Sequence, residues 1–494
     1  MVELDVVVVG SGPNGLAAAV TFARAGLSVR VFEQGTTIGG GARTDSLPET
    51  GYRYDRCSAV HPMALASPFF TQFELSRRVR FVVPEISYAH AVTAEVAGVA
   101  YRDLQATAEH LGRDGKAWQR MFAPLVRYVD DIVGLTTDSL FRVPPHPLRL
   151  ARFALRAAEQ GSPLWNVPFR DQVAPALLTG VNAHSVGRMP SLVTAGAGLM
   201  LATLAHSGGW PIAVGGSQSI VEALADDLRR HGGEITTDFT VTTLADLPSS
   251  RVTLLDTSAR AMSRIAQDVL PSPYRRHLAQ FTYGNSASKV DFALSEPVPW
   301  RSAALRGSPT IHVGGTRAEI AQAERDVDGG RHPAQPYVLV SQPTLFDSTR
   351  TPAGGHVLWS YTHVPRGSER DMTEAVTRRI EEFAPGFRDT IVETRATSAR
   401  ELETYNPNYV GGDFSAGAMT LAQLVRRPVL SSRPWGTPVR GLYICSSSTP
   451  PGPGVHGMSG WHAATLALRE CFGIGQPSLG LDAARSTEAE DSRA

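Results

Sequence analysis

Gly10-Ser11-Gly12-Pro13-Asn14-Gly15 has the glycine spacing of a loop that cradles a diphosphate. The first glycine allows a tight turn. The second lets backbone approach phosphate oxygens, and the third lets a helix pack closely on a strand. Amide N–H groups at a helix start have no intrahelical partner and stand at the positive end of the helix dipole, so they attract an anion. Glu33 lies 18 residues beyond Gly15, where a carboxylate can accept both hydroxyl protons of an adenosine ribose. The spacing alone is weak. It gains force because the loop follows the β-branched run 4–9 (LDVVVV), opens a helical run (16–26) and leads to a second strand, 29–33 (VRVFE). A dinucleotide is therefore expected at this β-α-β unit, and the fingerprint does not choose between FAD and NAD.

Three further blocks bear on that choice. Ile38-Gly39-Gly40-Gly41-Ala42-Arg43-Thr44 follows the second strand. Residues 215–241 (GGSQSIVEALADDLRRHGGEITTDFTV) read as a glycine turn, an amphipathic helix and a new strand. Residues 441–464 (GLYICSSSTPPGPGVHGMSGWHAA) read as strand, Gly/Pro loop and helix. Together with the fingerprint, these blocks resemble the FAD family that includes phytoene desaturases, flavin amine oxidases and pyridine-nucleotide-disulfide-oxidoreductase-domain proteins of the phytoene-desaturase type. GYRYD (51–55) and SAVHPMALASPFF (58–70) look like the phytoene-desaturase branch.

The resemblance implies FAD as cofactor. It places Gly39, Gly40 and Gly41 across the pyrophosphate, with Arg43 paired to it, and the backbone of Val241 against adenine. It sets the amides around Val455, Gly457 and Met458 near the flavin pyrimidine, where a helix start would stabilise negative charge on the reduced ring, and makes Ser446 a further cofactor-binding position. Ser446, Pro450 and Pro453 depart from the family's glycine, histidine and glycine. The prolines stiffen the loop and remove N–H donors. Residues 452–457 (GPGVHG) repeat the glycine spacing, but no second strand with a terminal acid follows, so no separate NAD site is expected.

Lysine occurs only at Lys116 and Lys289; every other basic residue is arginine. Lys289, in SKVDFAL (288–294) with Pro299-Trp300 downstream, is similar to the lysine of flavin amine oxidases that holds a water against flavin N5. A compact ammonium suits that role. His61 and His456 are the remaining catalytic candidates, as proton acceptors near the flavin or as structural hydrogen-bonding residues. No metal-binding motif, Walker loop or nucleophile elbow is present in the sequence.

Nucleotide-type sequence at both ends and in the middle implies a discontinuous FAD domain (1–65, 211–285 and 431–475). Residues 66–210 and 286–430 then form the substrate domain, and 476–494 a disordered tail. The expected fold is α/β: a Rossmann-like FAD domain of the glutathione-reductase type with a mixed α+β substrate domain.

Forty-seven basic residues balance 47 acidic ones, so nothing in the overall charge favours nucleic acid. Three scattered cysteines and strand-like sequence from Glu3 onward point to a reducing cytoplasm without a leader. The apolar run 192–205 is too short to span a bilayer and reads as a buried helix. Arg149, Arg152 and Arg156 stripe one helix face, which fits a solvated surface or a peripheral membrane contact.

The expected function is FAD-dependent hydride abstraction from a C–H bond of a largely apolar small molecule. The alternatives are amine oxidation, redox-neutral isomerisation, and flavin-free prenyl binding of the Rab GDP-dissociation-inhibitor type. The oligomeric state is left open.

Overall fold

The structure, a computed structural model, describes residues 4–352 and 354–481. The run Leu4–Val9 is the central strand of a five-stranded parallel sheet, ordered Leu442–Ile444, Ser250–Leu255, Leu4–Val9, Val29–Phe32, Glu234–Thr236. Val6, Val7 and Val8 are fully buried, as expected of a strand covered on both faces. The helix Pro13–Arg24 packs between Gln218–Arg230 and Met458–Ala467. Small residues make this contact close: a Cβ on Gly460 would collide with the carbonyl of Asn14.

A second, seven-stranded sheet runs Ile391–Thr397, Ser286–Leu294, His356–Val364, Val338–Ser341, Thr310–Val313, Ile86–Ala91, Ala97–Tyr101. All its pairings are antiparallel except Thr310–Val313 with Ile86–Ala91. Val173–Asn182 packs on it, and Pro147–Gln160 is joined to it through Leu192–Ala205. The last is the apolar run expected to form a buried helix; the Ser191 hydroxyl accepts from the Thr194 amide at 3.3 Å and caps it. The architecture is the α/β fold expected from sequence, a Rossmann-like parallel sheet joined to a mixed sheet.

A buried ion network joins the two parts. The Arg350 guanidinium donates to Asp55 at 2.6 Å, to Asp347 at 3.0 Å and to the Ala213 carbonyl at 3.1 Å. Asp55 also accepts from the amide and hydroxyl of Ser217 at 2.8 and 2.9 Å.

Two local expectations change. The new strand expected at the end of 215–241 stops at Thr236. Asp238 adopts φ +55°, and Asp246 accepts from Thr242 and Thr243 to close a turn. The tail expected to be disordered from 476 is docked as far as 481. Leu479 is 1% exposed, and Arg24 and Arg78 donate to the carbonyls of Gly480 and Leu479. Residues 482–494 of that tail lie outside the described residues. Among the described residues, no helix is long and apolar enough to cross a membrane. Arg149 and Arg156 pair with Asp131 and Glu159, which partly neutralises the arginine stripe.

Candidate functional site

The fingerprint turn forms because Gly10 takes φ +103° and Gly12 ends the turn in extended geometry, with Pro13 opening the helix. Gly15 is required by contact: a Cβ there would strike the Gly10 carbonyl. Glu33 reaches back from the second strand. Its Oε2 accepts from the Ser11 amide at 2.9 Å and the Ser11 hydroxyl at 2.5 Å. Its Oε1 accepts from the Gly35 amide at 2.7 Å and from Arg43 at 3.2 Å. The carboxylate thus ties three loop segments together beside the fingerprint turn.

The second glycine run lies against the first. Gly39 donates to the Ser11 carbonyl at 3.1 Å, and a Cβ on Gly40 would come within 3.1 Å of Gly12 Cα. Tyr405 donates to the Gly40 carbonyl at 2.6 Å, and the Tyr409 hydroxyl fills the space a Gly41 Cβ would need. Arg43, expected on a pyrophosphate, donates to Glu33 and to the carbonyls of Thr37 and Ile38.

These segments open into one cavity of about 650 Å³. Gly10, Ser11, Gly12, Pro13, Asn14, Glu33, Gly40, Gly41, Arg43, Val241, Ser446 and Val455 all line it. The structure therefore brings together sequence-expected positions scattered from residue 10 to residue 455. Gly15, Gly39, Gly457 and Met458 do not line it. Gly15 and Gly39 shape the turn from behind. Gly457, at φ +68°, folds the chain so that the Met458 amide donates to His456 Nδ1 at 3.0 Å. That amide is already used, which does not support its expected contact with a flavin. The lining also includes apolar side chains, among them Phe153, Leu192, Val193, Met200, Leu201 and Leu339.

The three catalytic candidates fare differently. His61 lines the cavity, is 2% exposed, and has no hydrogen-bond partner on either ring nitrogen. Burial pulls its pKa down to about 4, so the ring is neutral at pH 7. His456 also lines the cavity, but both its nitrogens brace its own loop: Nδ1 accepts from Met458, and Nε2 meets the Gly452 carbonyl at 3.2 Å. Lys289 is not on the cavity wall. Its ammonium donates to both oxygens of Asp291, at 3.0 and 2.9 Å, and to the Asp55 carbonyl at 2.8 Å, and it is 3% exposed. An ammonium has three donors. All three face protein acceptors, so this placement does not support a lysine that holds a water.

Three cavity residues were not singled out from sequence. Asp256, at the exit of the strand Ser250–Leu255, accepts from the Gly15 amide at 2.9 Å. Its one sequence signal is an acid ending a strand in LLDTS. His184 meets buried His312, Nε2 to Nε2, at 2.9 Å. Arg427 is 1% exposed and spends Nε and Nη2 on the carbonyls of Ser447, Ser415 and Ala416, while Nη1 has no partner. Among the described residues, no group of histidine, cysteine and acidic side chains could hold a metal, and Cys57, Cys445 and Cys471 are unpaired.

The glycine cradle fits a dinucleotide. The Asn14 side-chain Oδ1 and the Arg427 Nη1, both buried without partners, fit a polar cofactor in the same place.

Comparison with known proteins agrees with this geometry. Residues 8–72 match the model of an NAD(P)-binding Rossmann-like domain. The chain is 26% identical to pyridine nucleotide-disulfide oxidoreductase domain-containing protein 2 of Rattus norvegicus, over 95% of this chain and 94% of that one. An oxidoreductase from Methanosarcina mazei shares the fold with a TM-score of 0.61 at 15% identity, covering 94% of this chain and all of that one. A putrescine oxidase variant redesigned in cofactor binding also gives 0.61, at 17% identity, covering 96% of this chain and 99% of that one. At these identities the structural likeness is one of fold.

Proposed function

We propose that this chain is an FAD-dependent oxidoreductase that dehydrogenates a largely apolar organic substrate, in the manner of a desaturase. The observation that carries this reading is the single cavity in which the diphosphate cradle, the C-terminal Gly/Pro loop and an apolar chamber are continuous. Bound FAD supplies a two-electron acceptor for a C–H bond. The chain's own residues do the rest. Glu33 holds a ribose, and Gly10, Gly12 and Gly40 admit phosphates. Phe153, Leu192, Met200 and Leu339 exclude water and orient an apolar ligand by shape. Neutral His61, facing the cavity with free lone-pair capacity, can accept a hydrogen bond or a proton from a ligand.

Amine oxidation is a second reading, favoured by Trp359 and Tyr361. Both line the cavity, with ring centroids 5.3 Å apart and planes at 88°. The fold shared with putrescine oxidase points the same way. The engagement of Lys289 by Asp291 weighs against it.

The test is anaerobic mixing of the holoprotein with polyenes, prenyl lipids, amines and NADH. Flavin bleaching by a polyene or prenyl lipid supports dehydrogenation of an apolar substrate. Bleaching by amines alone supports the second reading. Rapid bleaching by NADH alone would overturn both.

A further inference from the structure

We propose that Asp256 engages the cofactor's diphosphate as a neutral carboxylic acid, so that its proton sets cofactor affinity. The proposal rests on the FAD reading above and starts from position. The backbone amide of Asp256 donates to the Val9 carbonyl at 2.8 Å, which fixes the residue beside the end of the central strand. Its carboxylate accepts from the amides of Gly15, at 2.9 Å, and Gly12. These belong to the fingerprint turn and the first turn of its helix. A Cβ on Gly12 would come within 2.8 Å of Oδ2, and one on Gly15 within 2.9 Å, so the carboxyl fills the hollow under the turn. Asp256 also lines the cavity alongside Gly10, Gly12 and Asn14, so a diphosphate drawn to this helix start meets it.

Two anions at one set of donors repel strongly in a site with little water. Among the described residues Asp256 makes no ion pair: of the arginines lining the cavity, Arg43 pairs with Glu33, and Arg427 donates to the carbonyls of Ser447 and Ser415. From the second strand the Glu33 carboxylate faces it and adds repulsion. From the last strand Cys445 faces it, its thiol held neutral by burial. The fingerprint helix offers Asn14, which is uncharged, and from a loop Asn408 donates only to the Asp256 carbonyl, at 3.3 Å. A neutral acid resolves the conflict. One oxygen keeps the glycine amides, and the O–H donates to a phosphate oxygen.

Burial already pushes the Asp256 pKa up to about 7 before any phosphate arrives, and the repulsion of Glu33 acts in the same direction. A diphosphate raises it further, so binding takes up a proton. Affinity is then full below about pH 7 and falls as pH rises above it, by up to about tenfold per unit.

The test measures free FAD above diluted holoprotein from about pH 6 to about pH 9, by ultrafiltration and flavin fluorescence. For the wild type we expect the dissociation constant to rise on the order of 30- to 100-fold across that range. Asp256→Asn keeps the shape, an acceptor and a permanent donor, so its profile should be flat, with FAD still bound. Thermal melting confirms that the variant is folded. Asp256→Ala, which removes the carboxyl, should also give a flat profile. A flat wild-type profile would overturn the proposal, as would an unchanged slope in Asp256→Asn or its loss of FAD at every pH. Failure of the underlying FAD reading looks different: a wild-type protein that binds no FAD at any pH.

Discussion

Replacing Glu33 by Gln tests the ribose anchor, and the structure sets the size of the effect. The carboxylate accepts four hydrogen bonds, two on each oxygen, from Ser11, Gly35 and Arg43. Glutamine has one acceptor oxygen and one amide nitrogen. If its oxygen faces Ser11, its NH2 confronts the Gly35 N–H and the Arg43 guanidinium. If it turns the other way, it confronts the Ser11 N–H. One side of the network is lost in either rotamer. Those losses lower the stability of the apoprotein; a ribose hydroxyl that takes the place of one of these donors makes its own bond to the charged group, worth about 1.5–3 kcal/mol, and losing it should lower FAD affinity about 10- to 150-fold. The apoprotein should also melt at a lower temperature, because the same carboxylate holds the loop in the absence of ligand. The assay is fluorescence titration of FAD into apoprotein, with thermal melting alongside. Wild-type affinity and wild-type melting in Glu33→Gln would refute the reasoning.

Three further outcomes are expected. Lys289→Met should lower thermal stability by about 3–5 kcal/mol, because it strands buried Asp291, and Lys289→Met with Asp291→Leu should recover much of it. Recovery in melting experiments marks a structural pair, whereas normal melting with slowed flavin reduction would restore the water-holding role. Burial raises the Asp55 pKa, but Arg350 and Ser217 more than offset it and hold the carboxyl below its usual range. That stability is present above the unfolded pKa of about 3.9 and is lost as pH falls through the folded value. Urea denaturation should therefore show the wild type weakening on acidification below about pH 4. Arg350→Met should be about 3–5 kcal/mol less stable at pH 7 and should lose less on acidification. Gly41→Ala should displace Tyr409 and reduce FAD retention after dialysis, and adding Tyr409→Phe, which removes the clashing hydroxyl, should restore it in part.

The nucleotide-binding unit was legible because its determinants are local. Glycines needing positive φ, a proline at the helix start and an acid ending the next strand all fall within residues 10–33. The apolar helix 192–205 was legible from length and composition. For Lys289 the sequence already held a competing partner. Asp291 stands two residues away in a strand, hence on the same face, close enough to engage the ammonium. Asp256 was not legible in the same way. Its role depends on Ser250–Leu255 pairing beside Leu4–Val9, a contact that no local pattern announces. The strand expected at the end of 215–241 stops early on turn chemistry, since Asp246 offers Thr242 and Thr243 a local hydrogen-bonded alternative. The docked segment 476–481 escaped notice because its partners, Arg24, Arg78 and Glu74, lie some 400 residues earlier.

Whether the cavity joining the fingerprint to the C-terminal loop holds FAD is read from the cofactor content of the purified protein. Absorption spectroscopy and release of the cofactor on denaturation should show an oxidised flavin bound near one per chain, lost in a Gly12→Val variant that remains folded. A colourless protein that binds no added FAD, or a Gly12→Val variant that keeps its flavin, would contradict it.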